Sequence, residues 1–301
     1  MRKNIFYILL LSVLINNLGC TKKDADLVVI NAKIYTADDN NSIAKSIAIN
    51  KGKILEVSDK NLNDKYNTNE ILDAKDKAML PGLIDSHCHF YNLGLDQQVV
   101  DLRGTNSFDE IIDRLKIYDL KNDSDVILGR GWDQNDWETK KFPINTLLNE
   151  NFSNKLVVLE RIDGHAYIVN DNALNLAGID ENTLVKGGLV LLKDNKPTGV
   201  LIDAPMSMVD QVLPEKTIDE KVKALKKAEE ISFSYGLTTV DDAGLNSGII
   251  NIIDSLHKIN ELKIKIYAMV SVSKKNIQEF KKSGKIKTPR LNVRSFKVYG
   301  D

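Results

Sequence analysis

The chain has 301 residues, 43% of them hydrophobic and 28% charged, with 41 Lys plus Arg against 42 Asp plus Glu and a formal net charge of −1. That length buries a substantial core in one large domain or two ordinary ones. The balanced charge, with no dense basic stripe, argues against nucleic acid as a partner and favours a protein that handles a small molecule.

The N-terminus reads as an export signal. Arg2 and Lys3 precede an apolar stretch from Ile5 to Ile15, too short to span a bilayer and suited to a signal h-region. Gly19-Cys20 follows and resembles the lipobox of bacterial lipoproteins, although Asn17 stands where that motif usually has Leu. The expectation is a lipoprotein-type signal over residues 1–19 with lipidation at Cys20. The protein would then be exported to the periplasm or cell envelope, touching the membrane only through that anchor. An ordinary secretory signal with a chance cysteine is the alternative. With Cys20 lipidated, Cys88 is the one free thiol and no internal disulfide forms.

Residues 26–80 carry a strand pattern and are expected to form a small β-sandwich module. Ile47-Ala-Ile and Ile54-Leu-Glu-Val flank Asn50-Lys-Gly-Lys53, a hairpin turn in which Gly52 can take positive φ. Next comes Pro81-Gly-Leu-Ile-Asp-Ser-His-Cys-His-Phe90, the stretch richest in chemistry. Along a strand, positions i and i+2 share a face, so His87 and His89 converge on one side with Asp85. Neutral imidazole is a leading ligand for zinc and related divalent metals. A bare His-x-His is a weak pattern, and the Pro-Gly entry, Leu-Ile pair and Asp85 strengthen it.

Residues 96–204 change character and are expected to form an inserted α+β subdomain. Ser107 with Glu110 predicts a capping box, followed by Ile111, Ile112, Leu115 and Tyr118 at helical spacing. Val126-Ile-Leu and Leu156-Val-Val-Leu read as short buried strands, and Asn170 as the cap of a helix ending at Gly178. A hairpin is expected around Lys193 to Pro197. From residue 205 the pattern becomes regular, with a second capping box at Thr217 and Glu220 and a helical stripe that stops at Gly236. Strands from Leu237, Ile264 and Leu291 then alternate with helices, which indicates right-handed βαβ units and a parallel sheet. The fold class is α/β.

With these residues in hand, the chain resembles the amidohydrolase superfamily of metal-dependent hydrolases. Gly129-Arg-Gly-Trp-Asp-Gln134, Asp163-Gly-His-Ala166, Pro197-Thr-Gly-Val-Leu-Ile-Asp203 and Gly236-Leu-Thr-Thr-Val-Asp-Asp-Ala-Gly244 resemble amidohydrolase family 3, the branch that includes N-substituted formamide deformylase. The resemblance implies a distorted TIM barrel with its metal site at the C-terminal strand ends. Residues 81–95 and 205–301 would supply barrel strands 1–4, the N-terminal half. His87 and His89 match the strand-1 metal ligands, and Lys297 falls where relatives place a strand-4 lysine that is carboxylated and bridges two metals. The pattern itself puts Val293, Ser295, Lys297, Tyr299 and Asp301 on one strand face; a lysine on the outer face, snorkelling between helices, is the alternative.

The resemblance implies one or two divalent ions, zinc above all, that activate water against a carbon–nitrogen bond other than a peptide bond, in an amide or formamide substrate. Two further histidine ligands and the catalytic Asp expected by resemblance would lie beyond Asp301. The chain is therefore expected to be an N-terminal fragment that does not catalyse alone. His165 is a candidate for substrate binding, with a satisfied loop histidine as the alternative; Asp133 and Trp132, with Trp137 beside them, are further candidates, with ordinary packing of the insert as the alternative for all three. Asp241 and Asp242 are expected near the metal, or as caps of the next helix, while His257 reads as a packing residue. Other functional readings are a non-catalytic metal-binding lipoprotein or decayed fragment, and a cyclic amidohydrolase or deaminase of the same superfamily. A homo-oligomer of the full-length protein is left open.

Overall fold

The computed structural model describes residues 22–122 and 124–298. The expected signal segment, Cys20, Tyr299 and Asp301 lie outside the described residues. The chain divides into two compact units, one up to Leu83 and one from Ile84.

The first unit holds small sheets that share apolar clusters. A four-stranded sheet runs in the order Lys53–Ser58, Ser46–Asn50, Leu27–Ile30, Ile71–Asp73, and a three-stranded one in the order Ile43–Ala44, Lys33–Tyr35, Ala78–Met79. Val29 and Ile47 from the first share one apolar cluster with Ile34 and Ala44 from the second. The hairpin closes where expected: Asn50 pairs with Lys53, and Lys51 and Gly52 both take positive φ, 50° and 70°. Two such residues make the type I′ turn whose twist matches the strands it joins.

In the second unit, a five-stranded sheet holds β1 (Leu83–Cys88), β2 (Leu237–Leu245), β3 (Lys265–Ser271) and β4 (Leu291–Lys297) side by side, with the two-residue strand Ile286–Lys287 at the far edge. Strands β2, β3 and β4 pair in parallel. The helices of this unit are α1 (Phe90–Leu95), α2 (Ile218–Ser234), α3 (Ser247–Lys258) and α4 (Lys274–Ser283). In α3, Ile249, Ile250, Ile253 and Leu256 recur at helical spacing, and they bury in one cluster with Val240, Ile266, Ala268, Val270, Leu291 and Val293. Each large aliphatic side chain so buried contributes roughly 1.5–3 kcal/mol. The capping box of α2 is complete: the Thr217 hydroxyl accepts from the Glu220 amide, and the Glu220 carboxylate accepts from the Thr217 amide. Around Ser107 only half of the box forms, because Glu110 reaches the amide of Asn106 instead. Among the described residues the five-stranded sheet does not close into a barrel.

One expectation about β4 is corrected. Ala268 pairs with Val293, but the next residue, Met269, pairs with Ser295, so Arg294 is a bulge. An extra residue reverses the alternation of faces. Leu291 and Val293 bury beneath the helices. Beyond the bulge, Phe296 meets Phe280 of α4 at 6.4 Å, while Ser295 accepts the Tyr267 hydroxyl at 2.9 Å on the opposite side. Val293 therefore does not share a face with Ser295 and Lys297.

The insert is a six-stranded mixed sheet in the order Val100–Asp101, Val126–Trp132, Leu156–Arg161, Ala166–Val169, Lys196–Asp203, Gly188–Lys193. Its first three strands are parallel and the rest antiparallel. Asn170 caps Asp171–Ala177 as expected, and the helix ends at Gly178 with φ 67°. The insert runs on past residue 204, since Met206 and Val209 bury in its second apolar cluster with Val158 and Val169.

Candidate active site

Strand β1 sorts its side chains by period two. Cys88 packs against the helix-covered core, which puts Asp85 and His87 on the opposite face. His89 follows the strand as the residue before α1. The rings of His87 and His89 lie edge to face with centroids 6.0 Å apart, both exposed. The Asp85 carboxylate accepts the His87 backbone N–H at 3.1 Å and so stiffens the strand at that histidine. Burial, then the charges of Asp242 and Asp85, push the Cys88 thiol up to about 12.

The two aspartates of β2 face opposite ways. Asp241 stands on the Asp85 side, and burial together with the Asp85 charge raises its carboxyl above the usual range. Asp242 is 1% exposed, and its carboxylate accepts the Tyr91 amide at 3.0 Å, at the start of α1. Burial raises its carboxyl, and the backbone N–H bonds and neighbouring His89 partly offset this. Asp242 thus serves the helix after β1, and the cap of the next helix, α3, is Asn246.

Lys297 is half-buried, in register with Ser271 on the face that carries Ser295. Strands β2 and β3 separate it from β1 in the sheet. Among the described residues no three His, Cys, Asp or Glu side chains gather around one point. The structure puts Asp85 and His87 on one face of β1 with Asp241 on that side of β2, sets His89 directly after β1, and leaves Lys297 two strands beyond β2.

In the insert, His165 Nδ1 lies 2.8 Å from Asp203 Oδ1, and the pair is exposed. Asp203 holds φ at +56°, a left-handed conformation uncommon for a residue other than glycine. Arg161 forms a two-bond pair with Asp163, whose Oδ1 also accepts the His165 amide at 3.1 Å. Asp133 accepts the Asn135 amide at the start of a 3₁₀ turn.

Trp132 is a correction. It is fully buried in the insert core, its Nε1 donates to the Leu159 carbonyl at 2.9 Å, and it stacks near Trp137, itself 4% exposed. Neither indole lines a pocket, because both complete a core. His257 is half-buried and bonded to the Ile264 carbonyl at 3.0 Å, the packing role expected of it. Sequence reasoning missed the pairing of Asp203 with His165; 38 residues separate them, and no local pattern signals it.

Residues 70–301 match the amidohydrolase family. The chain is 36% identical over 227 residues to "Protein LONG AFTER FAR-RED 3" of Arabidopsis thaliana, covering 73% of this chain and 38% of that protein. It is 26% identical over 230 residues to the N-substituted formamide deformylase of Arthrobacter pascens, covering 72% of this chain and 42% of that enzyme. A solved structure of an uncharacterized metal-dependent hydrolase from Pyrococcus horikoshii OT3 superposes with a TM-score of 0.69 at 25% identity, over 90% of this chain and 53% of that one. The chain therefore spans about half the length of these relatives or less. On the match over residues 70–301, this chain belongs to the amidohydrolase family.

Proposed function

We propose that the chain carries part of the active site of a metal-dependent hydrolase that cleaves carbon–nitrogen bonds other than peptide bonds, with an amide or formamide as substrate. The observation that carries this reading is the His87–His89 pair, two exposed imidazoles 6.0 Å apart at a strand end. With metal–nitrogen bonds of ~2.1 Å, two imidazoles on one ion place their ring centres roughly 5–6 Å apart. Imidazole beside carboxylate suits zinc and other first-row divalent ions, so the residues present fit part of such a donor set. His87 and His89 would hold the ion, and Lys297 is the further candidate from the same sheet, for one ion or two. The ion, when bound, polarises a carbonyl and lowers the pKa of water. Asp241 stands on the Asp85 side of β2, where burial and the Asp85 charge raise its carboxyl above the usual range. The sheet is read as strands 1–4 of a distorted TIM barrel, and the protein as exported and anchored at Cys20. The likeness to a formamide deformylase supports the substrate class.

A second reading is a metal-binding protein without catalysis. One experiment separates the two. A protein that carries this chain at the full length of its relatives is stripped with chelator, reloaded with Zn²⁺, and assayed for amine release from N-substituted formamides, with cyclic amides and aminopurines in parallel. Release that stops with chelator and in His87→Ala supports the hydrolase. Release indifferent to both overturns it, and stoichiometric metal without turnover selects the second reading.

A further inference from the structure

A cavity of about 290 Å³ opens where α1 and the segment after it meet the insert sheet, and neither His87 nor His89 lines it. Its wall includes Asp96, Leu128, Arg130, Glu160, Tyr167 and Lys216. The polar part is built by register. Arg130 pairs with Glu160 across one strand boundary and Glu160 with Tyr167 across the next, so three side chains stand in a row on one face of the sheet. The Tyr167 hydroxyl is already engaged, donating to Asp210 at 2.9 Å.

The charged groups in this wall are poorly mated. Arg130 reaches Asp96 at 3.3 Å and Glu160 at 3.7 Å, and Lys216 reaches Glu220 only at 3.9 Å. Elsewhere in the molecule, Arg114–Glu110, Arg161–Asp163 and Lys258–Asp254 each close to 2.6 Å. Arg130, Asp96, Glu160 and Lys216 keep 25–36% of their side-chain surface exposed, so their charges are only partly withdrawn from water. Burial accordingly raises the Glu160 carboxyl above the usual range despite Arg130, and Asp96 and Asp210 add to the effect. Arg130 has five N–H donors and Lys216 has three, most of them unspent on protein acceptors at hydrogen-bond distance. The cavity thus offers spare donors of positive charge and spare acceptors of negative charge side by side, in a volume at the lower edge of small-ligand pockets.

We infer that this cavity is a binding site for a small zwitterion, an amino-acid-like molecule whose carboxylate meets Arg130 and Lys216 and whose ammonium meets Glu160 and Asp96. Such a ligand satisfies both sets at once through charge-assisted hydrogen bonds. A simple anion or a simple amine satisfies one set and leaves the other to water. The inference goes beyond the hydrolase reading and stands or falls without it, because the test measures binding and requires no turnover.

Calorimetric titration at low ionic strength, where screening is weak, uses glycine, 4-aminobutyrate and 6-aminohexanoate as zwitterions of increasing charge separation, with butyrate and butylamine as single-charge controls. The expected result is saturable binding of at least one zwitterion, about tenfold or more tighter than either control. Arg130→Gln and Glu160→Gln should each weaken it by about tenfold. Lys216→Gln, at the rim, gives an independent reading should either of those variants fail to fold, as far-UV dichroism would reveal. Absence of saturable binding by all three zwitterions overturns the proposal. So does equal binding of the controls, or affinity unchanged in every folded variant.

Discussion

The Asp242 carboxylate accepts the backbone N–H of Tyr91 at 3.0 Å across 151 residues of sequence. The bond joins the end of β2 to the helix that begins directly after His89, and it reaches from the helix-covered side of the sheet. A side-chain acceptor on an otherwise unpaired N–H of a helix's first turn is a cap. Here the cap comes from a different strand, so it also fixes where His89 stands.

Removing that acceptor should loosen the junction of β1 and α1. Asp242→Ala is expected to cost about 1–2 kcal/mol in urea unfolding, the usual range for a lost cap. Asp242→Asn keeps an acceptor oxygen and sheds a charge that burial disfavours, so it should cost less than half as much. Equal losses for the two variants would show that the hydrogen bond is not what Asp242 supplies.

His165 should titrate above the ordinary imidazole value, because it bonds to Asp203 and feels the charges of Asp203 and Asp163. Its folded pKa is raised above the unfolded one. Whatever stability the pair contributes is therefore full below the unfolded pKa and is lost as pH rises through the folded one. Proton NMR of the imidazole ring follows this directly. In Asp203→Asn the midpoint should move back down, and an unmoved midpoint refutes Asp203 as the cause.

Trp132 should behave as a core residue. Trp132→Ala should cost about 3–5 kcal/mol, the range for emptying a large aromatic site. Trp132→Phe retains most of the volume but strands the Leu159 carbonyl, at about 1–3 kcal/mol. Thermal unfolding followed by fluorescence of the remaining Trp137 gives both values. A Trp132→Ala protein of unchanged stability would return this residue to the list of pocket candidates.

Gly94 lies in α1 where a Cβ would overlap the Ala224 backbone carbonyl of α2. Gly94→Ala improves helix propensity by about 1 kcal/mol in isolation. The forced separation of α1 from α2 should outweigh that gain and leave a net loss of about 1–3 kcal/mol. A stabilised Gly94→Ala variant in chemical denaturation would show that the two helices part freely.

Features whose cause is local were legible in the chain. The Asn50–Lys53 hairpin follows from Gly52, able to take positive φ, and the α2 cap from Thr217 and Glu220 three apart. The convergence of His87 with Asp85 followed from the period of a strand. Where one residue changes the period, the reading failed: the bulge at Arg294 leaves no mark in composition, and it moved Val293 to the face opposite Ser295 and Lys297.

The chain by itself therefore determined the order of elements, the β module ahead of the His-x-His strand, and the βα units that follow, because backbone preferences and hydrophobic period act over a few residues. Only the tertiary structure decided what each polar group meets. Asp242 turned to α1, His165 found Asp203, Trp132 closed a core, and Arg130, Glu160 and Tyr167 lined up across three strands. Those outcomes depend on sheet register and on burial, which sum contacts between segments far apart in the chain, and no window of neighbouring residues contains that sum.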